Sequence, residues 1–583
     1  MFQPTNARQS VYFLGILFSA IFPAIAFGQI QNAALLTANP RQYERMDFSV
    51  QLVAQWTNSP YRAEEIRLDL DLVSPSGISV IVPAYFETGK SGTLSVWKTR
   101  FTPVETGKYT GNFKLINSDK TDVSSNFSFV VATSNGKGFL HAVGDWTFRF
   151  DDGEPFRGIG ENIAWESRSR DDSKFFRDLN ENPRYNYPYL LEKLATNGGN
   201  FFRTWMCPWN LPLEWKTVAN TNRYANDDDY FNASAMRKMD QLMDLADSLD
   251  VYMMLTLDNS GDFQGREWQR NNYNVKNGGS VATAQEFFTD PKAKAQYKDR
   301  LRYLVARWGY DPHIAAWEFF NEIDNLMYGL PQKIPDEVIT AWTKEMSDYL
   351  KSIDPYHHLV TTSISHREVA GLYNISTIDF NQIHIYGHDG HSRLGIFPET
   401  LRHYSQLEQK PFVIGEFGFE WDWNKNFDDF AGQMNGDFKK GLWLGLFSPT
   451  PILPMSWWWE YFDHRNMTPY FSRVRFISDQ MLTDGKGDFA NVDCQWLGAP
   501  VQMLTVRCGK TFFVLLVNDE SVSATGDLSL PLEVSQDYEV QTFDAERNVT
   551  NHLATLVSGK KVVGGVSIPP SDELILIFSP RKK

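Results

Sequence analysis

Two glutamates stand at the ends of short apolar runs and are the strongest candidates for chemistry. Glu322 closes the run Ile314-Ala-Ala-Trp-Glu-Phe-Phe-Asn-Glu322, and Glu416 follows Pro411-Phe-Val-Ile-Gly415. A buried strand of a parallel sheet reads as a continuous hydrophobic run, and polar residues appear where it emerges. One such glutamate would most simply be an ordinary polar residue at a strand end. Two in matching settings suggest acid/base chemistry.

The elements that must position these glutamates are short apolar strands separated by longer amphipathic stretches. The sequence predicts strands at Phe156 to Asn162, Phe201 to Trp205, Val251 to Asp258, Ile314 to Glu322, Leu359 to Ser365, Phe380 to Gly387, Phe412 to Gly418 and Ile452 to Glu460. Helices are predicted at Ser234 to Asp250, from Asp290-Pro291, where aspartate caps and proline fits the first turn, and at Asp336 to Ile353. Eight β/α repeats over residues 139–480 describe an α/β fold, a (β/α)8 (TIM) barrel.

All-β patterns flank this region on both sides. Residues 29–134 alternate apolar and polar side chains in short runs separated by turn residues, which is typical of an antiparallel β-sandwich. The run Ser134-Asn-Gly-Lys-Gly138 is the expected linker, and the strand pattern returns over residues 485–583. We therefore expect N-terminal and C-terminal β-sandwich domains around the barrel.

Composition and the first residues bear on partners and location. The chain has 583 residues, with 71 acidic and 56 basic side chains and a net charge of −15, so its surface repels nucleic acid and anionic membranes. Residues 1–28 read as a signal peptide, with Arg8 before a mostly apolar stretch and cleavage expected after Gly28. An uncleaved anchor is the alternative, and Pro23 argues against it. We expect a secreted or periplasmic protein with no membrane contact after cleavage; the oligomeric state is left open.

Three cysteines are too few for a disulfide scaffold. Cys494 and Cys508 are close enough in sequence to bridge a hairpin, and the sequence favours neither the bridge nor two free thiols. Cys207 is expected to be a buried structural thiol, because no paired histidine is evident for catalysis.

Polar residues at the C-terminal ends of barrel strands face the active site. The strand ends give a convergent set: Glu161 and Asn162 on the first strand, Arg203 on the second, Asp258 on the third, Asn321 and Glu322 on the fourth, His384 and Tyr386 on the sixth, Glu416 on the seventh and Trp457 to Glu460 on the eighth. Cleaving a glycosidic bond with retention needs one protonated carboxyl group and one ionised carboxylate, about 5 to 5.5 Å apart. The fourth and seventh strands lie across the barrel from each other, so Glu322 and Glu416 fit this pair.

The neighbouring side chains fit the same chemistry. Asn321 can hold the sugar 2-hydroxyl, where hydrogen bonds strengthen as oxocarbenium character develops. Arg203 and Tyr386 can keep the nucleophile ionised, since a cation or a donated hydrogen bond lowers a carboxyl pKa. The alternatives are a structural ion pair for the arginine and a buried tyrosine.

The motifs Trp317-Glu-Phe-Phe-Asn-Glu322 and Ile414-Gly-Glu-Phe-Gly418 resemble those of the clan A glycoside hydrolases, particularly family 5 with its cellulases and mannanases. This resemblance implies Glu322 as acid/base and Glu416 as nucleophile. It also matches Arg203 to the clan's second-strand arginine and His384-Ile-Tyr386 to its sixth-strand motif. The clan's eighth-strand tryptophan falls within Trp457 to Trp459.

The resemblance extends to the N-terminal region and departs at one strand end. Arg100 to Tyr109 with Phe148 to Phe156 resembles the Ig-like domain that precedes such barrels in many bacterial polysaccharidases. Family 5 enzymes often carry a histidine near the end of the third strand, where this chain has Asp258. We expect the aspartate to bind a sugar hydroxyl at the same subsite.

Tryptophans indicate the kind of substrate. Sugar faces stack on indole rings, and Trp165, Trp457 and Trp459 are predicted to contact sugar, although core packing is the alternative for each. Along a strand, Trp457 and Trp459 would point one way and Trp458 the other.

The sequence thus predicts a hydrolase that cleaves a β-linked polysaccharide or oligosaccharide by double displacement, without cofactor. The stretch with His384, His388 and His391 is not expected to bind metal, because it lacks a carboxylate partner set. A transglycosylase with the same residues and a non-catalytic polysaccharide-binding protein are the alternatives.

Overall fold

The structure is a computed structural model that describes residues 29–327 and 333–581. The predicted signal peptide, residues 1–28, lies outside the described residues. Within those ranges, each helix is too short or too polar to span a bilayer.

The N-terminal region consists of antiparallel strands in two sheets. Its strands are β1 (Gln29–Leu35), β2 (Met46–Val53), β3 (Ile66–Val73), β4 (Ser79–Pro83), β5 (Tyr85–Thr88), β6 (Leu94–Phe101), β7 (Gly107–Asn117), β8 (Lys120–Val123) and β9 (Phe127–Val131). One sheet has the order β1-β2-β6-β5, and the other has β4-β3-β7-β8 with β9 also paired to β7. Alternate side chains of β2 and β3 are buried in one shared hydrophobic cluster, as period-two patterning predicts.

This region is anchored to the central one by buried contacts. Arg100 Nη1 lies 3.0 Å from Asp240 Oδ1, and the hydroxyl of Tyr356 accepts a hydrogen bond from the Thr102 amide at 2.8 Å. The ring of Tyr356 belongs to the N-terminal cluster, so the two regions share a core.

The central region alternates strands and helices after a small antiparallel sheet of β10 (Leu140–Ala142), β11 (Phe148–Phe150) and β12 (Pro155–Phe156). The parallel strands are β13 (Gly160–Asn162), β14 (Phe201–Trp205), β15 (Tyr252–Asn259), β16 (Ile314–Asn321), β17 (Leu359–Thr361), β18 (Ser363–Ile364), β19 (Asn381–Tyr386) and β20 (Phe412–Gly418). The helices are α1 (Arg177–Asn180), α2 (Tyr187–Thr196), α3 (Ala233–Leu249), α4 (Gly265–Arg270), α5 (Pro291–Trp308), α6 (Asp336–Ile353), α7 (Phe397–Glu408), α8 (Ala431–Leu446), α9 (Trp459–His464) and α10 (Phe471–Gly485).

The parallel strands follow one another in chain order and return to the first. Ladders join β13 through β17 and β18 through β20. The last segment, residues 452–456, is bridged in parallel to Gly158 and Glu161 on one side and to Phe417 on the other. The C-terminal ends of all these strands therefore meet on one side, which is where the strand-end residues were predicted to converge.

Most predicted elements have the expected bounds. The strands at Phe201–Trp205 and Phe412–Gly418 and the helix at Asp336–Ile353 match residue for residue. The helix from Pro291 is capped as predicted, because Asp290 Oδ1 accepts a hydrogen bond from the Ala293 amide at 2.8 Å. The fifth strand is interrupted at Thr362 between β17 and β18.

The eighth strand is shorter than predicted. The chain leaves the sheet after Ser456, Trp458 adopts a left-handed φ of 61°, and α9 begins at Trp459. The assumed alternation of Trp457, Trp458 and Trp459 along a strand is therefore wrong. A short apolar run alone does not distinguish a strand from a buried helical turn.

The C-terminal region returns to antiparallel strands. They are β21 (Phe489–Asn491), β22 (Gln495–Gly498), β23 (Gln502–Cys508), β24 (Thr511–Asn518), β25 (Ala524–Ser529), β26 (Tyr538–Asp544), β27 (Val549–Leu556), β28 (Val562–Ile568) and β29 (Asp572–Pro580). Their sheets have the orders β21-β23-β24-β29-β26-β27 and β22-β25-β28.

All three cysteines are free thiols, so the open question of a bridge between Cys494 and Cys508 is answered against it. Cys508 packs into the central cluster, whereas Cys494 packs against the C-terminal one. Cys207 is fully buried, and burial raises the pKa of its thiol well above the usual value.

Candidate active site

A cavity of about 420 Å³ lies among the C-terminal ends of the parallel strands. It is lined by Trp205, Asn321, Glu322, Asn325, Ser365, His366, His384, Tyr386, His388, Arg393, Glu416, Trp421, Trp423, Trp457 and Trp458. Two larger hollows of about 960 and 870 Å³ lie elsewhere, and neither contains the two glutamates. The chemistry predicted from the strand ends therefore belongs to the smaller cavity.

Glu322 and Glu416 face each other across this cavity. A carboxylate oxygen of each and a ring nitrogen of His384 all lie within 4.8 Å of one another. Glu322 follows β16 with a left-handed φ of 51°, and its amide donates a hydrogen bond to Ser363 Oγ at 2.9 Å. A left-handed glutamate is uncommon, and such conformations concentrate where a side chain must be aimed at a site.

Glu416 accepts hydrogen bonds from two side chains and has His384 nearby. Arg203 Nη1 donates to Oε1, the Tyr386 hydroxyl donates to Oε2 at 2.7 Å, and His384 Nδ1 lies 3.5 Å from Oε2. Burial raises the pKa of this carboxyl, while the charge of Arg203 and the hydrogen bond from the tyrosine hydroxyl oppose the rise. The donors therefore favour the ionised form of a group that burial alone would keep neutral.

Glu322 is hydrogen-bonded by uncharged side chains and has an acidic neighbour. Its Oε2 accepts a hydrogen bond from Asn325 Nδ2 at 2.6 Å, and its Oε1 lies 2.9 Å from His384 Nδ1. Burial, followed by the charge of Asp324, raises its pKa to about 7. Glu322 is thus protonated below neutral pH, whereas Glu416 has the charged donor Arg203.

His384 bridges the two carboxyl groups as a neutral imidazole, because burial lowers its pKa to about 4. With carboxylate oxygens on its Nδ1 side, we assign the ring proton to Nδ1. Its Nε2 is buried and has no hydrogen-bond partner within residues 29–327 and 333–581. This nitrogen faces Gly415, where an added Cβ would lie 3.2 Å from it and 2.1 Å from Gln382 Oε1, so a glycine is required before the glutamate.

Arg203 is fully buried and makes hydrogen bonds with all of its nitrogens. Nε and Nη2 donate to the two oxygens of Glu318 at 2.6 and 2.8 Å, and Nη2 also donates to Asn321 Oδ1 at 2.8 Å. Nη1 donates to Asn162 Oδ1 at 3.0 Å besides its bond to Glu416. The arginine therefore connects the fourth strand to the seventh at the centre of the site.

Glu318 is a site residue that sequence reasoning missed. It lies in the middle of β16 and is fully buried, and Arg203 lowers the pKa of its carboxyl against the effect of burial. The available signal was a charged residue inside an otherwise apolar strand, because buried carboxylates are almost always paired. Asn325 and Arg393 were also not predicted as site residues, since they lie beyond the strand ends. Trp205 was missed although it is the last residue of β14.

Asp258 does not reach the cavity, which corrects its predicted contact with a sugar hydroxyl. Arg300 Nη1 donates to its Oδ1 at 3.0 Å, and the Tyr297 hydroxyl donates to its Oδ2 at 2.7 Å. Both partners belong to α5, which packs against the outside of β15. The third-strand aspartate is thus part of a buried strand-to-helix ion pair.

Two of the three predicted sugar-stacking tryptophans lie behind the cavity wall. Trp165 and Trp459 are 6% and 2% exposed, and their rings pack edge to face with centroids 5.1 Å apart. Trp457 lines the cavity and packs against both of them. The stacking roles of Trp165 and Trp459 are therefore corrected to packing, while Trp457, Trp458 and the unpredicted Trp205 line the cavity.

The group Glu322, His384 and Glu416 also has donor atoms suited to a metal ion, with one ligand atom from each residue. His388 and His391, named with His384 in the sequence, are exposed, bridge each other through the backbone and are not members of this group. The same short separations are those needed by two carboxyl groups acting on one glycosidic bond.

Comparisons with known proteins indicate a glycosidase. Residues 169–429 match the family model Cellulase (glycosyl hydrolase family 5), a family with a (β/α)8 barrel. The chain is 24% identical over 313 residues to mannan endo-1,4-beta-mannosidase 3 of Arabidopsis thaliana, covering 46% of this chain and 68% of that protein. It is 26% identical over 330 residues to mannan endo-1,4-beta-mannosidase 1 of Oryza sativa subsp. japonica, covering 50% and 71%.

Solved structures show the same fold. A protein of Bacteroides vulgatus ATCC 8482 assigned as a glycoside hydrolase superimposes with a TM-score of 0.62 at 14% identity, over 94% of this chain and all (100%) of that one. The family match over residues 169–429 and the mannosidase relatives together show that the chain is a glycosidase, an O-glycosyl hydrolase that resembles family 5 in this region.

Proposed function

We propose that this enzyme hydrolyses a β-1,4-linked mannan-type polysaccharide with retention, using Glu416 as nucleophile and Glu322 as acid/base. The observation that carries the proposal is the pair of carboxylate oxygens within 4.8 Å of each other in unequal surroundings. Retaining enzymes place their carboxyl groups about 5 to 5.5 Å apart, whereas inverting enzymes leave about 6.5 to 9.5 Å for a water molecule. The mannan backbone is taken from the names of the relatives.

In the first step, ionised Glu416 attacks the anomeric carbon. Arg203 and Tyr386 each donate to a different oxygen of this carboxylate, which fixes its plane and leaves a lone pair directed into the cavity. Positioned donors that require no reorganisation during reaction are a large part of enzymatic rate enhancement.

Glu322 supplies the proton for the leaving oxygen and then acts as base. The charge of Glu322 raises the pKa of Glu416, and two carboxylates at this separation act on each other in the same sense. Formation of the glycosyl ester removes the charge of Glu416, so the pKa of Glu322 falls after the first step. The same carboxyl group is then suited to take a proton from the incoming water.

Asn321 is positioned to donate a hydrogen bond to the sugar 2-hydroxyl. Its Oδ1 is occupied by Arg203 Nη2, which orients the amide, and its Nδ2 lines the cavity without a hydrogen-bond partner in the described part of the chain. A donor fixed in this way strengthens its bond to the 2-hydroxyl as the oxocarbenium-like transition state forms.

The proposal includes the domain plan predicted from the sequence. The catalytic (β/α)8 barrel spans residues 139–480, between an Ig-like β-sandwich at residues 29–134 and a C-terminal β-sandwich at residues 485–583. Export directed by residues 1–28 would place the enzyme where extracellular polysaccharide is found. Sequencing the N-terminus of the protein recovered outside the cytoplasm tests cleavage after Gly28.

Azide rescue separates the roles of the two glutamates. With E416A, an activated β-mannoside and azide should give the α-mannosyl azide, because azide attacks from the side that the missing nucleophile occupied. With E322A, the glycosyl-enzyme still forms from a substrate that needs no acid, and azide should give the β product. NMR of the product configuration checks both expectations. The β azide from E416A together with the α azide from E322A would exchange the roles of the two glutamates.

The matched control is E368Q, since Glu368 is exposed, contacts Tyr404 and does not line the cavity. It should retain wild-type turnover, whereas E416Q should lose turnover on every substrate. Retention of a tenth of wild-type activity by E416Q would remove Glu416 as the nucleophile.

The substrate is tested with neutral β-mannan, β-glucan and β-xylan, and release of mixed-length mannan oligosaccharides is expected. Product analysis at high donor concentration separates hydrolysis from transglycosylation, because a transglycosylase would return products longer than the donor. The configuration of the first product, followed by NMR, should be retained in either case.

A further inference from the structure

The catalytic cavity has two chemically different sides. Tryptophans come from the second strand and from the segments after the seventh and eighth: Trp205, Trp421, Trp423, Trp457 and Trp458. Hydrogen-bonding and basic side chains come from the segments after the fourth, fifth and sixth strands: Asn325, Ser365, His366, His388 and Arg393. We refer to the second set as the basic side of the cavity.

Glu322 belongs to the basic side. Asn325 Nδ2 bonds both its carboxylate, at 2.6 Å, and Ser365 Oγ, at 3.2 Å, so the proton donor is continuous with this wall. An acid catalyst contacts the glycosidic oxygen, and beyond that oxygen lies the departing sugar. The basic side therefore receives the leaving group, while the tryptophans face the sugar that becomes attached to Glu416.

Arg393 differs from the other cations in and near the cavity in how its charge is paired. Arg203 is buried and fully paired, and Lys425, on the neighbouring loop, lies 2.9 Å from Asp389 and 3.1 Å from Glu420. Arg393 is exposed, lines the cavity and makes no ion pair or hydrogen bond with its side chain anywhere in residues 29–327 and 333–581.

No cavity-lining carboxylate competes for this arginine apart from the catalytic pair, within the residues that the structure describes. His366 and His388 are exposed on the same side and add imidazole N–H donors. This is a local basic surface on a chain with a net charge of −15. A guanidinium presents a planar fork that matches a carboxylate or a sulfate in a bidentate manner.

We propose that the leaving-group side of the cavity recognises an acidic group on the polysaccharide, a uronate carboxylate or a sulfate ester, and that Arg393 binds it. This inference rests on the proposed function and refines its substrate class. The enzyme then prefers β-linked chains in which a neutral sugar precedes an acidic one, and it cuts between them.

The probe for the uronate is β-1,4-mannan partly oxidised at C6, compared with the same preparation after its carboxyl groups are reduced back to alcohols. The two differ in charge but share length and linkage. A second pair, lightly O-sulfated and desulfated mannan, tests the other anion. The readout is the ratio of kcat/KM for the acidic member to that for the neutral member at low ionic strength.

Wild-type enzyme should give a ratio of about ten in at least one pair, which corresponds to one charge-assisted contact on an exposed site. Added salt should reduce this ratio, because exposed charges are screened. Mass spectrometry should find the acidic sugar at the new non-reducing end of the released product.

R393Q should bring the ratio close to one, and R393K should keep part of it, since lysine retains the charge without the fork. The matched control is R402Q, because Arg402 is an exposed arginine of α7 outside the cavity. R402Q should keep the wild-type ratio.

A wild-type ratio of one or less in both pairs would overturn the inference and leave the proposed function intact, because the neutral mannan is still cleaved. An unchanged ratio in R393Q would also overturn it. Failure of wild-type enzyme to cleave any of the four preparations would instead overturn the proposed function, and the inference with it.

Discussion

Replacing Glu318 by glutamine tests whether the arginine at the centre of the site must be held from the fourth strand. Glu318 accepts two charge-assisted hydrogen bonds from Arg203, at 2.6 and 2.8 Å, and both side chains are fully buried. Glutamine keeps the shape but offers one acceptor oxygen, and its amide group then faces an N–H donor. One charge-assisted bond is lost, worth about 1.5 to 3 kcal/mol, and one buried donor is left unpaired, at about 1 to 3 kcal/mol.

The sum is about 2.5 to 6 kcal/mol, a range that contains the usual cost of about 3 to 5 kcal/mol for removing one partner of a buried ion pair. Because Arg203 also donates to Glu416 and Asn321, its displacement should misalign the nucleophile and the amide together. A misplacement of about 1 Å costs about 10²-fold in rate. We therefore expect kcat to fall about a hundredfold and the unfolding midpoint of the catalytic region to fall by several degrees.

The matched control is D258N, which breaks another buried ion pair, that of Asp258 with Arg300, away from the cavity. It should lower the unfolding midpoint comparably but leave kcat within about threefold of wild type. Thermal unfolding and initial rates at saturating mannan measure both effects. The reasoning is refuted if E318Q keeps its kcat, or if D258N loses as much kcat as E318Q, which would return Asp258 to the substrate site.

Further predictions concern pH, substrate length and redox state. Glu322 must be protonated to act as acid, and its pKa is about 7, so kcat/KM should decline as pH rises through 7. D324N should move this decline to lower pH, because Asp324 raises the pKa of Glu322. A pH profile unchanged in D324N would contradict the assignment of Glu322 as the acid. Trp421 is 53% exposed at the cavity rim, so W421A should raise KM for mannan polymer several-fold and hardly change it for an aryl mannoside in parallel assays. Dithiothreitol should leave the unfolding midpoint unchanged by calorimetry, because Cys494 and Cys508 are free.

The two carboxyl groups proposed to be catalytic could be found from sequence because each stands at the end of an apolar run and each run is a strand of one parallel sheet. Glu322 and Glu416 both follow apolar runs whose strand bounds are confirmed to within a residue, and parallel strands deliver their C-terminal ends to one place. Fold topology then brings together residues 94 positions apart without any knowledge of side-chain contacts. Tyr386 and His384 were predicted for the same reason.

For Asp258, the position at a strand end predicted the wrong contact. It also stands at the end of a buried strand, and local sequence does not reveal which face it occupies relative to α5. Arg300 lies 42 positions further along the chain, and its pairing with the aspartate depends on how the helix packs. Glu318 was missed for the opposite reason. It lies in the middle of a strand, and the prediction considered only residues at strand ends.

The division of roles between the two glutamates follows from their surroundings and not from their sequence motifs. Both are buried, and burial alone raises the pKa of each. Glu416 is opposed by a guanidinium and a phenol hydroxyl, whereas Glu322 has an amide donor and the charge of Asp324 beside it. His384 contacts both, and since its low pKa keeps it neutral, it donates a hydrogen bond without adding a charge that would ionise the acid. A cationic side chain in its place would lower the pKa of both carboxyl groups and remove the asymmetry on which double displacement depends.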